Sequence, residues 1–422
     1  MRSPISAASA EKSINFQIDH QCPQCGAPAT FEETERLFTC PFCKVKSYLL
    51  SRGCFRYLFP RKSKSVQDLV YVPYWRFKGM LFSCLPKGVK HRFIDASHQA
   101  ITSDLFPASV GLRSQALSLK FVTPEEPGLF LTPRQTLDDV TGLFEARFNA
   151  RLTGPIYHQT HIGEAASQIY SPFYVGKKII DAVLDEPLSR KLPPDFSLDK
   201  LEGGPPKPGF TFIPAICPHC GWDLNGSRDS LVLSCKNCVS MWFPVKNGLK
   251  KMKFAHLPGG NKEASVYLPF WRIKADVSGI QLKSYADVVR LANLPKVVQT
   301  AWESQEFRFW ASAFKVVPQV FLRLGTSLTL SQPAGRLEPE LPEAPVHPVT
   351  LPFTEGIETL KVSLAGFMKP RRDLLPALPD IQISPRSILL VYLPFQEGHH
   401  DLTNDALQLS LNKKQLSHAA NL

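Results

Sequence analysis

The sequence has no long hydrophobic run and none of the common catalytic motifs. Its longest apolar stretches, such as ILLVYLPF at 388–395, fall far short of the roughly 20 residues that a membrane helix needs. The opening MRSPISAASAEKS has no apolar core, so we expect no secretory signal, a soluble chain and a cytoplasmic location. There is also no HExxH, P-loop or GxSxG, and no GxGxxG after a strand, so no reaction is indicated.

Candidate acid–base groups are sparse as well. His158 and His161 form one close pair and His399 and His400 another, but a close histidine pair alone indicates a metal site only weakly. The carboxylates are scattered, and no two can be nominated as acid and base. An enzyme with an unidentified reaction and no recognisable small-molecule substrate stays open as an alternative, with its site in the variable middle segments.

Acidic residues are outnumbered by basic ones. The 422 residues include 37 Asp or Glu and 49 Lys or Arg, which gives a formal charge of +12 and a pI of about 9.2. This excess fits an acidic partner such as nucleic acid, although moderately basic soluble proteins are common. The apolar fraction of 44% allows real cores, and the length allows two to four domains.

Eight of the ten cysteines lie in CxxC pairs, and the arrangement occurs twice. Fourteen residues separate the two pairs in each copy, and the second copy begins 195 residues after the first. Two residues between cysteines let both thiolates reach one ion, and a hairpin of this length brings two pairs together. Without a signal peptide, the pattern favours metal ligation over disulfides. The eight candidate ligands are Cys22, Cys25, Cys40, Cys43, Cys217, Cys220, Cys235 and Cys238.

The first knuckle of each copy reads CPxCG, at 22–26 and 217–221, and resembles the zinc-ribbon superfamily. The resemblance covers about 22 residues per copy and implies two structural Zn²⁺ ions, each held by four thiolates. Rubredoxin-type iron is the alternative, although that family separates its knuckles more widely. In the second knuckles Lys44 and Val239 replace the glycine. A β-branched residue is strained at positive φ, so we expect the knuckle at Val239 to be open or differently turned.

The two cysteines outside the pairs, Cys54 and Cys84, have no partner in the pattern. We interpret each as a small buried hydrophobe.

A second repeat follows each cysteine frame. VYVPYWRFK at 70–78 returns as VYLPFWRIK at 266–274, and weaker copies IYSPFY at 169–174 and VYLPF at 391–395 close the two halves. The combination of a ribbon and a Y-x-P-F/Y-W strand also resembles a type of bacterial protein. That resemblance implies no particular activity for this chain. The repeats predict an internally duplicated chain that is mainly β or α+β, in which each half is a Cys₄ zinc ribbon followed by a small β-rich domain.

The expected domain boundaries follow from these repeats. Pro- and Gly-rich stretches indicate a linker between the halves and a long loop within the second half. The expected units are an N-terminal tail (1–20), zinc ribbon 1 (21–50), β-rich domain 1 (51–186), a linker (187–214), zinc ribbon 2 (215–246) and β-rich domain 2 (247–422) with a Pro-rich loop (332–348).

Alternation along the first aromatic strand places Tyr71, Pro73 and Trp75 on one side and Val72, Tyr74 and Arg76 on the other. Proline removes a ladder donor, so the strand is expected at a sheet edge or a bulge. The strand is interpreted as core, with a stacking platform for bases or an extended peptide as the alternative. Helical periodicity is confined to 137–152 and to one or two helices within 284–310, broken near Pro295.

Basic residues cluster between each ribbon and its aromatic strand. They could form a face that contacts phosphates, or they could offset the charge of about −2 that four thiolates and one Zn²⁺ carry. The candidate contact residues for nucleic acid or another partner are Lys44, Lys46, Arg61, Lys62, Lys64, Arg76, Lys250, Lys251 and Arg272.

These features favour a non-catalytic zinc-binding scaffold whose partner is a protein. Nucleic-acid binding by the basic faces is the alternative, and a steep fall in affinity with salt would distinguish it.

Overall fold

The computed structural model describes residues 16–111, 117–188, 192–193, 201–246, 248–259 and 264–417. Most of the expected tail at 1–20 and part of the expected linker at 187–214 lie outside these residues. The fold is mostly β, with 39% strand and 17% helix, which confirms the expected class of β or α+β.

Within the described residues, the first half contains the first cysteine frame, thirteen strands and one helix. The strands are β1 (Gln17–Gln21), β2 (Pro28–Glu32), β3 (Leu37–Thr39), β4 (Lys46–Ser51), β5 (Phe55–Leu58), β6 (Leu69–Leu85), β7 (Gly88–Gln99), β8 (Leu119–Phe121), β9 (Leu129–Leu131), β10 (His158–Val175), β11 (Ile179–Asp181), β12 (Glu186–Pro187) and β13 (Gly203–Gly204), and the helix is α1 (Leu137–Asn149).

The second half contains more helix. Its strands are β14 (Phe210–Pro214), β15 (Leu233–Cys235), β16 (Ser240–Val245), β17 (Gly248–Met252), β18 (Phe254–His256), β19 (Val266–Ser278), β20 (Phe309–Ser312), β21 (Gln382–Glu397), β22 (Asp401–Asn404) and β23 (Leu409–Asn412). Its helices are α2 (Tyr285–Leu291), α3 (Thr300–Ser304), α4 (Pro318–Ser331), α5 (Phe353–Phe367), α6 (Arg371–Leu374) and α7 (Lys413–Ser417), with a 3₁₀ turn at Leu375–Ala377.

Four sheets organise the described residues. The largest has eleven strands, and its main path runs β13-β9-β6-β10-β5-β8-β1-β2. A six-stranded sheet in the second half has the path β20-β19-β21-β22-β23, with β18 beside β21. Two three-stranded sheets, β14-β4-β3 and β15-β16-β17, carry the ribbons together with β1 and β2.

The central strand pair has the same register in both halves. In the first half, Tyr71 of β6 lies opposite Pro172 of β10 in an antiparallel pair. In the second half, Tyr267 of β19 lies opposite Pro394 of β21 in the same way. A short strand also runs parallel to the closing strand in each half, β5 beside β10 and β18 beside β21. Each Y-x-P motif therefore pairs with the other Y-x-P motif of its own half.

The aromatic strands are central in their sheets, so the expected edge position is wrong. β6 lies between β10 on one side and β7 and β9 on the other. Pro73 falls between the residues that pair with β9, which end at Tyr71, and those that pair with β7, which begin at Tyr74. The missing N–H of Pro73 thus coincides with a break between two neighbouring strands, while its carbonyl accepts from Ala100 N at 2.8 Å.

The expected alternation of β6 is confirmed by its packing. Val72 and Tyr74 belong to the core that also holds Ile18 and Phe31 of the first ribbon. Tyr71 belongs to a separate cluster on the opposite face, where its ring stacks 4.4 Å from that of Phe130. Because both faces are covered, β6 is a nearly continuous apolar run.

A single core joins the two halves. Met80, Phe82 and Ile162 from the first half pack in the same cluster as Trp271 and Phe321 from the second half. The β-rich regions are therefore in direct contact through buried side chains.

Helix α1 confirms the helix expected within 137–152, and Thr136 caps it by accepting from Asp139 N at 3.2 Å. Helices α2 and α3 confirm the two short helices near Pro295. Helices α4 and α5 were expected to be β or loop, which is wrong. Both carry buried apolar faces: α4 packs on β20, and α5 packs against β10 of the first half as well as strands of the second half. This tertiary burial favours helix there.

The Pro-rich segment 332–348 contains no helix or strand and lies between α4 and α5. It is held at two points by single β-bridges, Glu338 to His256 and Val346 to Tyr267. The bridge at Tyr267 corresponds in the first half to the pairing of β9 with Tyr71.

Candidate metal centres

The first cysteine frame closes into one compact group. The Sγ of Cys22 lies 3.8 Å from that of Cys43, and the Sγ of Cys25 lies 3.7 Å from that of Cys40. All four sulfurs lie within 4.8 Å of one another. Zn–S bonds of about 2.3 Å in a tetrahedron place neighbouring sulfurs about 3.8 Å apart. The spacing therefore fits one tetrahedral ion.

The second frame forms an equivalent group. The Sγ atoms of Cys217 and Cys238 are 3.6 Å apart, and those of Cys220 and Cys235 are 3.5 Å apart. Again all four sulfurs lie within 4.8 Å of one another. Each frame thus offers four thiolates that could hold one metal ion.

The knuckles position their cysteines through tight turns. In the first knuckles Gly26 N donates to Cys22 O and Gly221 N donates to Cys217 O, both at 2.9 Å. The two glycines have φ of +73° and +72°, a region in which glycine carries no steric penalty. Lys44, at φ +62°, closes the second knuckle of the first frame in the same way.

Val239 adopts the same left-handed backbone region as Gly26, Lys44 and Gly221, although it is β-branched. Val239 has a φ of +46° and is 46% exposed. Its side chain points into solvent, and the sulfurs of Cys235 and Cys238 are fixed by the core behind them. The backbone thus accepts the strain that a β-branched residue brings to this region.

Ser240 is a residue of this site that the sequence pattern did not indicate. Its Oγ lies 3.0 Å from Cys238 Sγ and 4.0 Å from Cys217 Sγ. Trp242 Nε1 donates to the same Oγ at 2.9 Å, which leaves the hydroxyl proton to donate to a thiolate. Such a donor offsets charge on the sulfurs of a metal group.

Cys84 and Cys54 lie outside both groups. Cys84 is fully buried in the core that joins the two halves, and burial raises the pKa of its thiol to about 12. Cys54 is half-buried, and burial raises the pKa of its thiol as well. A raised pKa makes each thiol a poor nucleophile.

The two ribbons share one hydrophobic cluster. Its fully buried members are Leu37, Tyr48 and Leu50 of the first ribbon and Ala215, Cys217, Leu224, Leu233, Cys235 and Trp242 of the second. Two of the metal-site cysteines are thus packed against side chains of the other ribbon.

Polar contacts reinforce the same junction. Tyr48 Oη donates to Ser230 O at 3.1 Å, and Arg36 N and Leu37 N donate to Arg228 O at 2.7 and 2.8 Å. β14, which leads into the second ribbon, pairs with β4 of the first over five residue pairs. The ribbons therefore form one body that contains both four-cysteine groups.

The candidate contact residues are distributed over the surface and the interior. Five of them are exposed lysines, at 44, 62, 64, 250 and 251. Several make internal contacts: Lys62 Nζ donates to Leu184 O at 2.7 Å, Arg61 Nη1 donates to Ser65 O at 2.7 Å, and Lys46 Nζ lies 3.6 Å from Asp223. Three of the candidate contact residues thus bind groups of the chain itself.

Arg76 is buried, in contrast to its expected role as a contact residue. It is 1% exposed, and its Nε and Nη2 donate to the two carboxylate oxygens of Asp95 at 3.0 and 3.1 Å. Its Nη1 donates to Glu33 of the first ribbon. Arg76 therefore fixes the ribbon to β6 and is covered by it.

The histidine pairs do not form a site. Burial lowers the pKa of His158 and of His161 to about 4. His161 lies 3.5 Å from the carboxylate of Glu145, and its ring packs edge-on against Phe77. His399 and His400 are exposed beside each other on a turn. The cysteine frames are the metal-type clusters found among the described residues.

Comparison with protein-family models, with curated proteins and with solved structures found no match to this chain. None of the helices in the described part of the chain has the length and apolar character of a membrane-spanning segment.

Proposed function

We propose that this protein is a non-catalytic scaffold in which two structural Zn²⁺ ions hold a pair of ribbons as one rigid body. The observation that carries the proposal is the closure of all eight paired cysteines into two groups of tetrahedral size. Four thiolates fill the coordination of Zn²⁺, so no position is left for a substrate. A reducing compartment such as the cytoplasm would keep these thiolates free for metal.

The stabilisation by metal would be large compared with what a ribbon can supply alone. Structural zinc contributes roughly 10–16 kcal/mol to the folding of small domains. Each ribbon here has strands of three to six residues. In this chain Ser240 and the backbone turns at Gly26 and Gly221 hold the thiolates in place for the ion.

We also infer that the chain arose by tandem duplication, with domain boundaries near those expected from the sequence. The inference is supported by the equal registers of Tyr71 with Pro172 and of Tyr267 with Pro394. The closing hairpins β11-β12 and β22-β23 also follow the same order in each half.

A protein partner is favoured by exposed apolar side chains on the ribbons. Phe42 is 64% exposed and Trp222 is 59% exposed, each beside a metal-site cysteine. Aromatic residues at such exposure are characteristic of protein contact surfaces. Nucleic acid is less favoured, because Arg76 is buried and Lys46 is paired with Asp223.

The test is elemental analysis of the purified full-length protein, together with its ultraviolet absorbance at 260 and 280 nm. The expected result is two zinc per chain without nucleic acid. Two zinc with bound nucleic acid would instead promote the role of the exposed lysines from Lys44 to Lys64. Iron, or no metal, would contradict the assignment of both frames.

A further inference from the structure

The two copies of the aromatic strand carry equivalent arginines with different surroundings. Arg76 in β6 is satisfied by two carboxylates, with Asp95 bound through two parallel hydrogen bonds and Glu33 bound to the remaining nitrogen. Arg272 occupies the same place in the second VYxPxWRxK strand. Among the described residues, its guanidinium makes no hydrogen bond and no ion pair.

The acidic partners have basic counterparts in the second half. Asp95 pairs with Lys78 across β6 and β7. Arg308 directly precedes Phe309, the partner of Ile273, and so lies where a residue opposite Lys274 is expected. Arg228, which follows Cys217 by the same interval that separates Glu33 from Cys22, binds Glu35 and not the strand.

The resulting cluster has an excess of positive charge at a partly open surface. Arg272, Lys274 and Arg308 surround one carboxylate, that of Glu306, which Lys274 and Arg308 both contact at 2.5 Å. The side chains of Lys274 and Glu306 are 39% and 55% exposed. Three cations and one anion leave a local charge of about +2 by formal count.

Trp310 forms one wall of this cluster. It pairs with Arg272 across β19 and β20, and the Cζ of Arg272 lies 5.9 Å from the centre of its ring. The indole Nε1 is buried and has no hydrogen-bond partner among the described residues. Burial, together with the nearby charge of Arg308, lowers the pKa of Arg272. A bound anion would therefore stabilise the charged form of this guanidinium.

We propose that Arg272, Lys274 and Arg308 bind a carboxylate of an acidic segment in a partner protein. The inference rests on the proposed scaffold function and names the chemistry of its partner. In the first half the equivalent arginine binds carboxylates supplied by the chain itself, whereas in the second half Arg308 stands in the place of Asp95, so a carboxylate for Arg272 would come from outside the chain. Guanidinium groups bind carboxylates through two parallel hydrogen bonds, which gives the site directional selectivity.

The test uses the zinc-loaded full-length protein and a fluorescein-labelled hexaglutamate peptide, with fluorescence anisotropy as the readout. Hexaglutamine and a labelled oligothymidylate are measured in parallel, and inorganic phosphate is added as a competitor. Arg272→Gln is compared with Arg272→Lys and with Arg372→Gln, which removes the same charge from an exposed position elsewhere in the same half. Circular dichroism and zinc content establish that each variant is folded.

The expected result is binding of hexaglutamate that weakens about tenfold in Arg272→Gln, less in Arg272→Lys and under twofold in Arg372→Gln. Absence of hexaglutamate binding, or equal binding by Arg272→Gln, would overturn the proposal. Preferential binding of the oligonucleotide, or loss of hexaglutamate binding at low millimolar phosphate, would assign the site to phosphate. None of these outcomes changes the zinc content, so failure here is distinct from failure of the proposed function.

Discussion

The indole Nε1 of Trp75 donates a hydrogen bond to the carbonyl oxygen of Gln135 across 2.8 Å. Trp271 makes the same bond to Leu351 across 3.0 Å. In both halves the accepting residue lies two positions before a helix, α1 or α5. The tryptophan of each VYxPxWRxK strand therefore hydrogen-bonds the segment just before a helix to the sheet. This structural role explains why the tryptophan is repeated, and it requires no ligand.

Replacing Trp271 with phenylalanine should lower the free energy of unfolding by about 2–3 kcal/mol. The change leaves the buried Leu351 carbonyl without its donor and removes part of a fully packed side chain. Urea denaturation measures the effect. Trp222→Phe, at an exposed position, should change the free energy by less than about 0.5 kcal/mol; equal losses in both variants would refute the role assigned to the hydrogen bond.

Replacing Cys40 with serine should remove one zinc per chain and accelerate release of the other. The first group loses a ligand, and the second is packed against Leu37 and Tyr48 of the damaged ribbon. Elemental analysis gives the number of zinc ions per chain. The rate of zinc transfer to a coloured chelator shows whether damage to the first group accelerates release from the second, which is the coupling between the two groups. Cys54→Ser, outside both groups, serves as the control. Retention of two zinc ions would refute the four-ligand assignment, and an unchanged release rate would refute the coupling.

Replacing Val239 with glycine should strengthen the second ribbon by about 0.5–1 kcal/mol. A valine at φ +46° is strained by roughly 1–2 kcal/mol, and glycine removes that strain at a smaller cost in chain entropy. Zinc competition at the second site measures the gain. Lys44→Gly makes the matched change at φ +62° in the first ribbon and should gain less, because lysine is not β-branched. Weaker zinc binding by Val239→Gly would contradict the strain.

Replacing His161 with phenylalanine should reduce the sensitivity of the fold to acid. Burial lowers the pKa of His161 to about 4, below the ordinary value of about 6.5. As the pH falls from about 6.5 toward 4, the unfolded chain binds a proton that the folded chain does not, so the free energy of unfolding falls. The variant lacks this contribution.

Between pH 7 and pH 5 the His161→Phe protein should therefore lose about 1–2 kcal/mol less stability than the natural protein. Chemical denaturation at each pH, with zinc held constant, gives the comparison. His91→Phe, at an exposed position, is the control and should follow the natural protein. Parallel pH profiles for all three proteins would show that the burial of His161 does not contribute.

The sequence by itself determined the two four-cysteine groups and the order of the repeated strands. A CxxC pair is a local device, because two thiolates separated by two residues reach one ion from a single turn. The alternation of Val72 and Tyr74 against Tyr71 is local for the same reason, since successive side chains of a strand point to opposite faces. Helix α1 also followed from the sequence, because its apolar residues recur at helical spacing within 137–152.

The tertiary structure decided which of these local features became surface and which became core. Arg76 and Arg272 stand in nearly the same sequence. Glu33 and Asp95 bind Arg76 and bury it, whereas Arg308 takes the place of Asp95 in the second half and offers Arg272 no carboxylate. Those neighbours come from distant segments of the chain, so no local pattern contains them. Helices α4 and α5 and the contact between the two ribbons likewise depend on burial against distant segments of the chain. A local sequence pattern does not contain the free energy of that burial.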